Sequence, residues 1–459
     1  MKKCVTMKST VLVLVVLWVN VFFCSACLAE LKGGCGKTNI TPPLGGLLIG
    51  SKGYVSDAVL DELYAKALVL SDGDETVAVV ACDLLYTPLE EITEPVRKIV
   101  KEKTGIPEEN VLVCATHTHS GPEVFKRSKL APEKIVEMTE VDRSFVATLV
   151  GKIASAVLLA HKNMQPVKIG AARGQAPKVV YNRRPRDADG RVEMAFTLPA
   201  EMRGTRKVVV DADGRTRVTF TYPEGQTKRR FGPIDPAVRV LRVEDANGVL
   251  VGSLVNFGCH PVSIYPYLST AISADYPAYA TGVVERAEGG LCLFTLGLAG
   301  NAVPYHRGVV PRQQIGRAVG GEALKELQFL ATRDDITLDA AKRELLLPTK
   351  KPSSEEAGKS ARPERMSTEL QVVRLGDIYI LGLPGEILVE VGLEIQKRAG
   401  LDNLIIVSVC NDTVGYVCHS AAYDEGAYEP GSGTNLAKGA GEIMIEKALE
   451  LIEQIRQEH

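Results

Sequence analysis

The chain has 459 residues, 45% of them hydrophobic, and its 54 Lys and Arg balance 56 Asp and Glu to a net charge of −2. This length can bury a large core, and the charge balance excludes a basic nucleic-acid-binding protein. An aromatic fraction of 5% argues against recognition of a partner by ring stacking. Composition leaves peripheral contact with a membrane open and does not determine the oligomeric state.

Residues 1–29 have the pattern of a secretory signal peptide. Three lysines precede an apolar run from Val11 to Phe23, and small residues follow as far as Ala29. The run is too short to span a membrane comfortably, so we predict cleavage after Ala29 and export to the periplasm or the exterior. Lipoprotein anchoring through Cys27 is the alternative. It is disfavoured because Cys24 stands where an aliphatic residue is usual in such a signal.

Apolar runs of strand length alternate with runs of helix length over the rest of the chain. The predicted strands are Val77–Cys82, Val111–Ala115, Val167–Ala172, Val238–Val243, Leu250–Phe257, Leu291–Leu296, Leu370–Leu375, Ile378–Leu383 and Leu404–Val409. The predicted helices are Leu89–Lys103, Val141–His161, Tyr276–Ala287, Gln313–Leu330, Ile387–Arg398 and Gly441–Ile455. No sequence repeat interrupts this order. It predicts an α/β fold with a layered mixed β-sheet core and flanking helices, in a single catalytic domain over residues 30–459.

Two polar stretches break the alternation. The basic segment Met202–Arg230 predicts a long hairpin with a solvated charged face, and Pro348–Arg365 predicts an exposed loop. The seven cysteines after residue 29 are an odd number and lie mostly in apolar runs, so buried thiols are expected. Pairing of Cys410 with Cys418 stays open.

A pair of histidines follows the predicted strand Val111–Ala115, in the segment Thr116-His117-Thr118-His119-Ser120-Gly121-Pro122. Only seven histidines occur in the chain, and two imidazoles at a strand end point to a metal or acid–base centre. On a straight strand, a spacing of two would send His117 and His119 to opposite faces. Two hydrogen-bonded histidines in a turn are the structural alternative.

Two further residues stand at comparable positions. His260 ends the strand Leu250–Phe257 and is followed by Pro261, and Glu386 follows the strand Ile378–Leu383. Two neutral imidazoles and a carboxylate form a common catalytic zinc set, so we expect these segments to meet at one edge of the sheet. The structural alternative is that His260 is a hydrogen-bonded histidine of the core and that Glu386 is a carboxylate favoured by the helix dipole in the first turn of a helix.

These segments together resemble the catalytic domain of the neutral/alkaline ceramidase family, in order and over essentially the whole chain after residue 29. The matching pieces are Asp61-Glu62-Leu63-Tyr64-Ala65-Lys66-Ala67, Thr116 to Pro122, Asn256 to Pro261, Ser273-Ala274-Asp275, Pro384-Gly385-Glu386, Gly415-Tyr416-Val417, Tyr423, Tyr428-Glu429 and Gly439-Ala440-Gly441-Glu442.

The resemblance implies one zinc ion per chain and a role for each matching residue. The implied ligands are His117, His260, Glu386 and Tyr416. His119 would face the substrate and handle protons, Tyr428 would approach the scissile amide, and Arg183 would line the pocket. A packed aromatic ring is the ordinary alternative for Tyr416.

One departure from the family pattern concerns its catalytic serine, which lies in a Gly-Asp-Val-Ser-Pro stretch. Here the corresponding residues are Gly300-Asn301-Ala302-Val303-Pro304, so Val303 replaces the serine and Asn301 the aspartate. Because a valine side chain neither attacks a carbonyl nor passes a proton, zinc-activated water becomes the expected nucleophile. The longer family members also carry a C-terminal sandwich domain after the catalytic one.

The sequence therefore predicts an exported zinc-dependent hydrolase that cleaves the amide bond of a small-molecule or lipid substrate. The alternatives are a non-catalytic lipid- or glycan-binding protein on the same scaffold, and a zinc hydrolase of an ester or another bond. Val303 and Tyr305 would reshape the floor of the substrate pocket. His306-Arg307 would add positive charge suited to a phosphate, sulfate or carboxylate, unless this is simply a surface turn.

Overall fold

The structure, a computed structural model, describes residues 30–49, 54–124, 138–351 and 363–457. The predicted signal peptide lies outside the described residues, as does the middle of the predicted loop Pro348–Arg365. The helices are α1 Glu94–Thr104, α2 Glu140–Lys162, α3 Ala200–Arg203, α4 Asp275–Glu288, α5 Val309–Gln328, α6 Val389–Ala399, α7 Ser420–Glu425 and α8 Ala440–Gln457. A π-helical turn, Leu89–Thr93, leads into α1.

The strands range from two to eleven residues in length. They are β1 Lys32–Asn39, β2 Ala58–Val59, β3 Tyr64–Ser71, β4 Thr76–Cys82, β5 Val111–Ala115, β6 Gln165–Pro166, β7 Lys168–Gln175, β8 Val180–Asn182, β9 Lys207–Val210, β10 Thr216–Thr219, β11 Ala237–Glu244, β12 Leu250–Phe257, β13 Ala271–Ile272, β14 Leu291–Leu296, β15 Ala302–Pro304, β16 Leu338–Pro348, β17 Arg365–Leu375, β18 Ile378–Gly382, β19 Glu386–Ile387, β20 Leu404–Val407 and β21 Tyr416–Val417.

Three main sheets organise the fold. The first sheet has the order β5-β4-β3-β1-β6, the second sheet β14-β12-β11-β7 and the third sheet β16-β17-β18-β20. In each sheet two successive antiparallel pairings are followed by one parallel pairing, and the first sheet has a further antiparallel pairing of β1 with β6. The parallel pairs are β4 with β5, β12 with β14, and β18 with β20. A helix lies between the two parallel strands in each case, as a parallel connection requires: α1, α4 and α6.

The three sheets share one apolar core. Leu112 of the first sheet, Leu254 of the second and Ile380 of the third are all fully buried members of a single hydrophobic cluster. Small residues let the sheets approach closely. A side chain at Gly252 of the second sheet would lie 2.3 Å from the Cys35 sulfur of the first. The mixed α/β core with flanking helices predicted from the sequence is therefore confirmed, but it consists of three sheets rather than one.

Helix α2 covers the outer face of the first sheet. Gly34 and Gly36 of β1 allow this contact, because a Cβ at either would lie within 2.3 Å of the Ala160 or Ala156 carbonyl oxygen. Among the described residues, α2 is also the one helix long and apolar enough to cross a membrane, with a mean hydropathy of 1.6. Its apolar positions face β1 and β3, so the composition of α2 is that of a core helix.

The predicted elements are present, with shifted ends. The predicted strand Leu404–Val409 stops at Val407, since Val409 has a left-handed backbone with φ of 52°. The predicted long hairpin is the short pair β9–β10, and its charges are partly buried because Arg217 is paired with Asp211. Cys410 and Cys418 are free thiols, as are the other five described cysteines.

Candidate metal centre

The first histidine segment leaves the strand before either imidazole is reached. β5 ends at Ala115, and His117 has a left-handed backbone with φ of 69°, a conformation that is costly for a residue with a Cβ. The His117 N–H donates to the Leu84 carbonyl, and the His119 N–H donates to the carbonyl of Pro261. The opposite-face prediction for His117 and His119 is therefore wrong, because the segment is not an extended strand.

Three imidazoles converge at this point. The Nε2 atoms of His117 and His260 are 3.1 Å apart, and the Nε2 atoms of His119 and His260 are also 3.1 Å apart. Glu386 Oε2 lies 3.3 Å from His117 Nε2 and 3.5 Å from His260 Nε2. His117, His260 and Glu386 are buried, whereas His119 keeps partial access to solvent.

Backbone carbonyls orient two of these rings. His117 Nδ1 lies 2.8 Å from the Leu85 carbonyl oxygen, and His260 Nδ1 lies 3.0 Å from that of Ala299. A carbonyl only accepts, so each Nδ1 carries the proton and donates it there. In the neutral rings the Nε2 lone pairs consequently point into the site, which is how metal-binding histidines are held.

Glu386 and Tyr416 are aligned by a two-residue parallel ladder. They are paired residues of β19 and β21. The Tyr86 hydroxyl donates to Glu386 Oε1 over 2.8 Å, which leaves Oε2 without a hydrogen-bond donor in the centre of the site. Tyr86 was not predicted from the sequence, since nothing in the segment Leu84-Leu85-Tyr86 distinguishes it from an ordinary core tyrosine.

Arg183 supports Tyr416 through a hydrogen bond to its hydroxyl group. Its Nη2 donates to the Tyr416 hydroxyl oxygen over 3.1 Å and to the Gly300 carbonyl over 3.0 Å, while Nε donates to Glu429 over 2.7 Å. Glu429 is fully buried and also binds Arg184 at 2.7 Å. Arg183 is therefore buried and positions Tyr416.

The electrostatics favour neutral rings beside an ionised carboxylate. Burial lowers the pKa of His119 and of His260 well below its ordinary value. Burial opposes ionisation of Glu386, but its contacts with His117 and His260 hold the pKa of that carboxyl below its ordinary value. Burial and the charge of Glu386 raise the pKa of Tyr416, so its phenol keeps its proton at neutral pH.

These residues fit a zinc ion. The Nε2 lone pairs of His117 and His260 and the carboxylate oxygen of Glu386 are buried acceptors that face one another without a proton between them. Ligand atoms around tetrahedral zinc are about 3.3 Å apart, given bonds of about 2.0–2.1 Å. The observed separations of 3.1, 3.3 and 3.5 Å bracket this value. His119 and Tyr416 are both placed to supply a fourth ligand atom.

The fold and the comparisons with known proteins agree. Residues 33–188 match the family model of the neutral/alkaline non-lysosomal ceramidase N-terminal domain. The structure matches the crystal structure of neutral ceramidase from Pseudomonas aeruginosa with a TM-score of 0.72 at 20% identity, covering 94% of this chain and 75% of that chain. The chain has the neutral ceramidase fold. A solved ceramidase complexed with C2 gives a TM-score of 0.70 at 18% identity, with coverages of 94% and 76%.

The sequence relatives match a shorter region. Neutral ceramidases B and A of Dictyostelium discoideum are 27% and 26% identical over 183 and 182 residues, which is 40% of this chain but only 21% of each relative. The resemblance to the neutral ceramidase family is confirmed. The matched residues 33–188 contain His117, His119 and Arg183, whereas His260, Glu386 and Tyr416 lie beyond them.

Val303, which stands at the serine position of the ceramidase pattern, belongs to the hydrophobic core. Val303 lies on β15 opposite Tyr181 and is fully buried, one residue beyond Ala302, whose carbonyl accepts the His260 N–H at 2.9 Å. Asn301 holds the start of α6, because its side-chain oxygen accepts the Val389 N–H and its amide donates to Glu390. Asn301 therefore has a structural role at the site of the family's aspartate.

The two predicted tyrosines outside the centre differ in position. Tyr428 is 44% exposed, and its ring centroid is 5.5 Å from that of Tyr416, so it stands at the entrance of the site. Tyr305 instead faces a separate cavity, where its hydroxyl donates to the Arg203 carbonyl.

Proposed function

We propose that this chain is a zinc-dependent hydrolase that cleaves an N-acyl amide bond with water as the nucleophile. The observation that carries the proposal is the convergence of three imidazole Nε2 atoms and the unpaired Glu386 oxygen at one buried point. The ceramidase fold and the match to the family model support amide cleavage as the reaction class.

A bound zinc ion, held by His117, His260 and Glu386 with Tyr416, would supply Lewis acidity to the scissile carbonyl and to a water molecule. In the overall reaction the water oxygen bonds to the acyl carbon and the C–N bond breaks. One water proton goes to the amine nitrogen and the products are a carboxylic acid and an amine. The protein must therefore take up a proton and return it.

His119 is the residue placed to move that proton. It adjoins His260 and keeps access to solvent, and its lowered pKa leaves the ring neutral and able to accept. Tyr428 faces the same entrance, and burial raises the pKa of its phenol, so it can donate a hydrogen bond to the substrate carbonyl or nitrogen. Arg183 fixes the orientation of Tyr416.

Val303 favours water as the nucleophile. A valine replaces the family's nucleophilic serine, and its side chain is fully buried. The same replacement is the observation that favours a non-catalytic binding protein as the second candidate. Ester hydrolysis would use the same groups, and parallel assays of matched amides and esters separate it from amide cleavage.

Zinc binding and activity should both depend on the proposed metal ligands. We expect about one zinc per chain by elemental analysis. His117→Ala and Glu386→Gln should each remove the metal and lower kcat/KM on N-acyl amides by about a thousandfold or more, since both charge stabilisation and water activation are lost.

His161→Ala is the matched control for these variants, because His161 lies in the last turn of α2 and contributes nothing to the centre. It should keep both zinc and activity. Purified protein without metal would sink the proposal. Bound zinc with no turnover across amides and esters would establish the binding-protein alternative instead.

We also propose that the chain is exported, on the basis of the signal-peptide pattern of residues 1–29. Mass spectrometry of the protein from its native host should find a mature terminus at Glu30. A lipid-modified Cys27 would establish the lipoprotein alternative, and an intact N-terminus would contradict export by this signal.

A further inference from the structure

A second cavity lies beside the candidate metal centre, along the short ladder between β8 and β15. It has a volume of about 190 Å³, and four aromatic side chains and two arginines line it: Tyr181, Phe196, Tyr267, Tyr305, Arg203 and Arg307. Among the described residues that line it there is no Asp or Glu. The cavity is therefore lined by aromatic rings and carries positive charge.

Arg307 is the unusual residue in this cavity. It is only 6% exposed, yet none of Nε, Nη1 and Nη2 has a hydrogen-bond partner. Its guanidinium lies 3.3 Å from the centroid of the Phe196 ring, which covers one face and leaves the N–H groups at the edge of the plane unsatisfied. Although burial lowers the pKa of Arg307 to about 10, the group stays charged at neutral pH.

Other buried arginines of this protein are paired with acids. Arg97 binds Glu369 at 2.7 Å, Arg183 binds Glu429 at 2.7 Å, and Arg312 binds Asp61 at 2.9 Å. Asp275, whose negative charge acts on Arg307, is engaged instead by the N–H groups of Ser263 and Ile264. A buried charge without a partner is destabilising. A bound anion would supply the missing partner of the Arg307 guanidinium.

The cavity is close to the candidate metal centre. The Phe196 ring that covers Arg307 is also 5.9 Å from the Arg183 guanidinium, which itself donates to the Tyr416 hydroxyl. Two side chains, Phe196 and Arg183, thus separate Arg307 from the Tyr416 hydroxyl of the centre. Arg307 lies three residues after the end of β15, the strand that carries Val303.

We propose that Arg307 binds an oxyanion of the substrate, so that the preferred substrates are N-acyl compounds that carry a carboxylate or a phosphate. This inference rests on the proposed amide hydrolysis. The planar fork of a guanidinium matches two oxygens of either anion, and the aromatic walls accommodate the carbon atoms next to it. Carboxylate and phosphate share this chemistry, and the test distinguishes them.

Two matched pairs of substrates test the proposal: N-lauroylglycine against the neutral N-lauroylglycinamide, and N-lauroylphosphoethanolamine against N-lauroylethanolamine. The wild-type enzyme should favour at least one anionic member by about tenfold or more in kcat/KM. In Arg307→Met this ratio should fall about tenfold, mainly through KM. Arg343→Met, which removes a partly exposed arginine of β16 paired with Glu450, should keep the wild-type ratio. Equal ratios in wild type and Arg307→Met would overturn the proposal.

A binding measurement separates this proposal from the proposed reaction. Chelator-treated wild-type protein should still bind the preferred anionic compound in calorimetry, as should His117→Ala, whereas Arg307→Met should not. Arg307→Met should also melt no lower than wild type without ligand, because it removes an unpaired buried charge. Loss of binding in His117→Ala, or a lower melting temperature of Arg307→Met, would overturn the subsite even if amide hydrolysis were confirmed.

Discussion

The backbone of His117 explains why the site differs from its sequence-based description. A spacing of two residues separates side chains only on an extended strand, and β5 ends before His117 adopts its left-handed conformation. Strain of this kind persists only where the surroundings impose it. Here the hydrogen bond to Leu84 and the contact of Nδ1 with the Leu85 carbonyl do so. No local residue pattern reveals such a turn, so the convergence of His119 with His260 required the structure.

His119 and Tyr416 compete for the fourth ligand position, and paired variants decide between them. If His119 moves protons and Tyr416 binds the metal, His119→Ala should retain about one zinc and lose about 10²- to 10⁴-fold in kcat with little change in KM. Tyr416→Phe should weaken zinc binding, because a phenyl ring offers no ligand atom. Zinc affinity measured by competition with a chelator, together with kcat and KM, gives both readouts.

The reverse pattern would assign three histidines to the metal. Loss of zinc in His119→Ala with normal affinity in Tyr416→Phe would contradict the role of His119 as a proton carrier. His161→Ala again serves as the matched control, since His161 lies in the last turn of α2 and outside both the centre and the Arg307 cavity.

Strands and helices with regular apolar patterns are predictable from this sequence. Leu250–Phe257 and Leu291–Leu296 are predicted with their observed ends because they are continuous apolar runs in a buried parallel pair. β1, Lys32–Asn39, is not predicted, since Gly33, Gly34 and Gly36 remove the apolar signal. Those glycines are required by the close contact with α2, which only the tertiary structure shows.

A buried lysine makes another strand difficult to predict from the sequence. β3, Tyr64–Ser71, lies at the centre of the first sheet, but Lys66 interrupts its apolar pattern. Lys66 is buried because its ammonium pairs with Glu285 of α4 at 2.7 Å and donates to the Cys292 carbonyl at 2.9 Å. The partner is more than two hundred residues away in the sequence, so propensity alone favours a surface position for this lysine.

At the scale of the whole molecule, the three sheets repeat one arrangement that the sequence does not show. In each, two antiparallel pairings lead to a parallel pair joined through a helix: α1, α4 or α6. Apolar residues of similar volume replace one another in cores, so a shared topology leaves no repeated sequence. The sequence-based expectation that the ligands meet at one edge of one sheet is therefore wrong. His117 follows the first sheet, His260 the second and Glu386 the third.

This arrangement would make a bound zinc ion a link between all three sheets, and we expect stability to depend on it. A ligand that binds only the folded state stabilises it by about 2.7 kcal/mol at a free concentration one hundred times its Kd. A chelator should consequently lower the melting temperature of the wild-type protein by a few degrees, and zinc should restore it. His117→Ala should melt at the same temperature with and without the chelator, because it has already lost the link from the first sheet. An equal chelator-dependent shift in His117→Ala would place the stabilising metal elsewhere in the molecule.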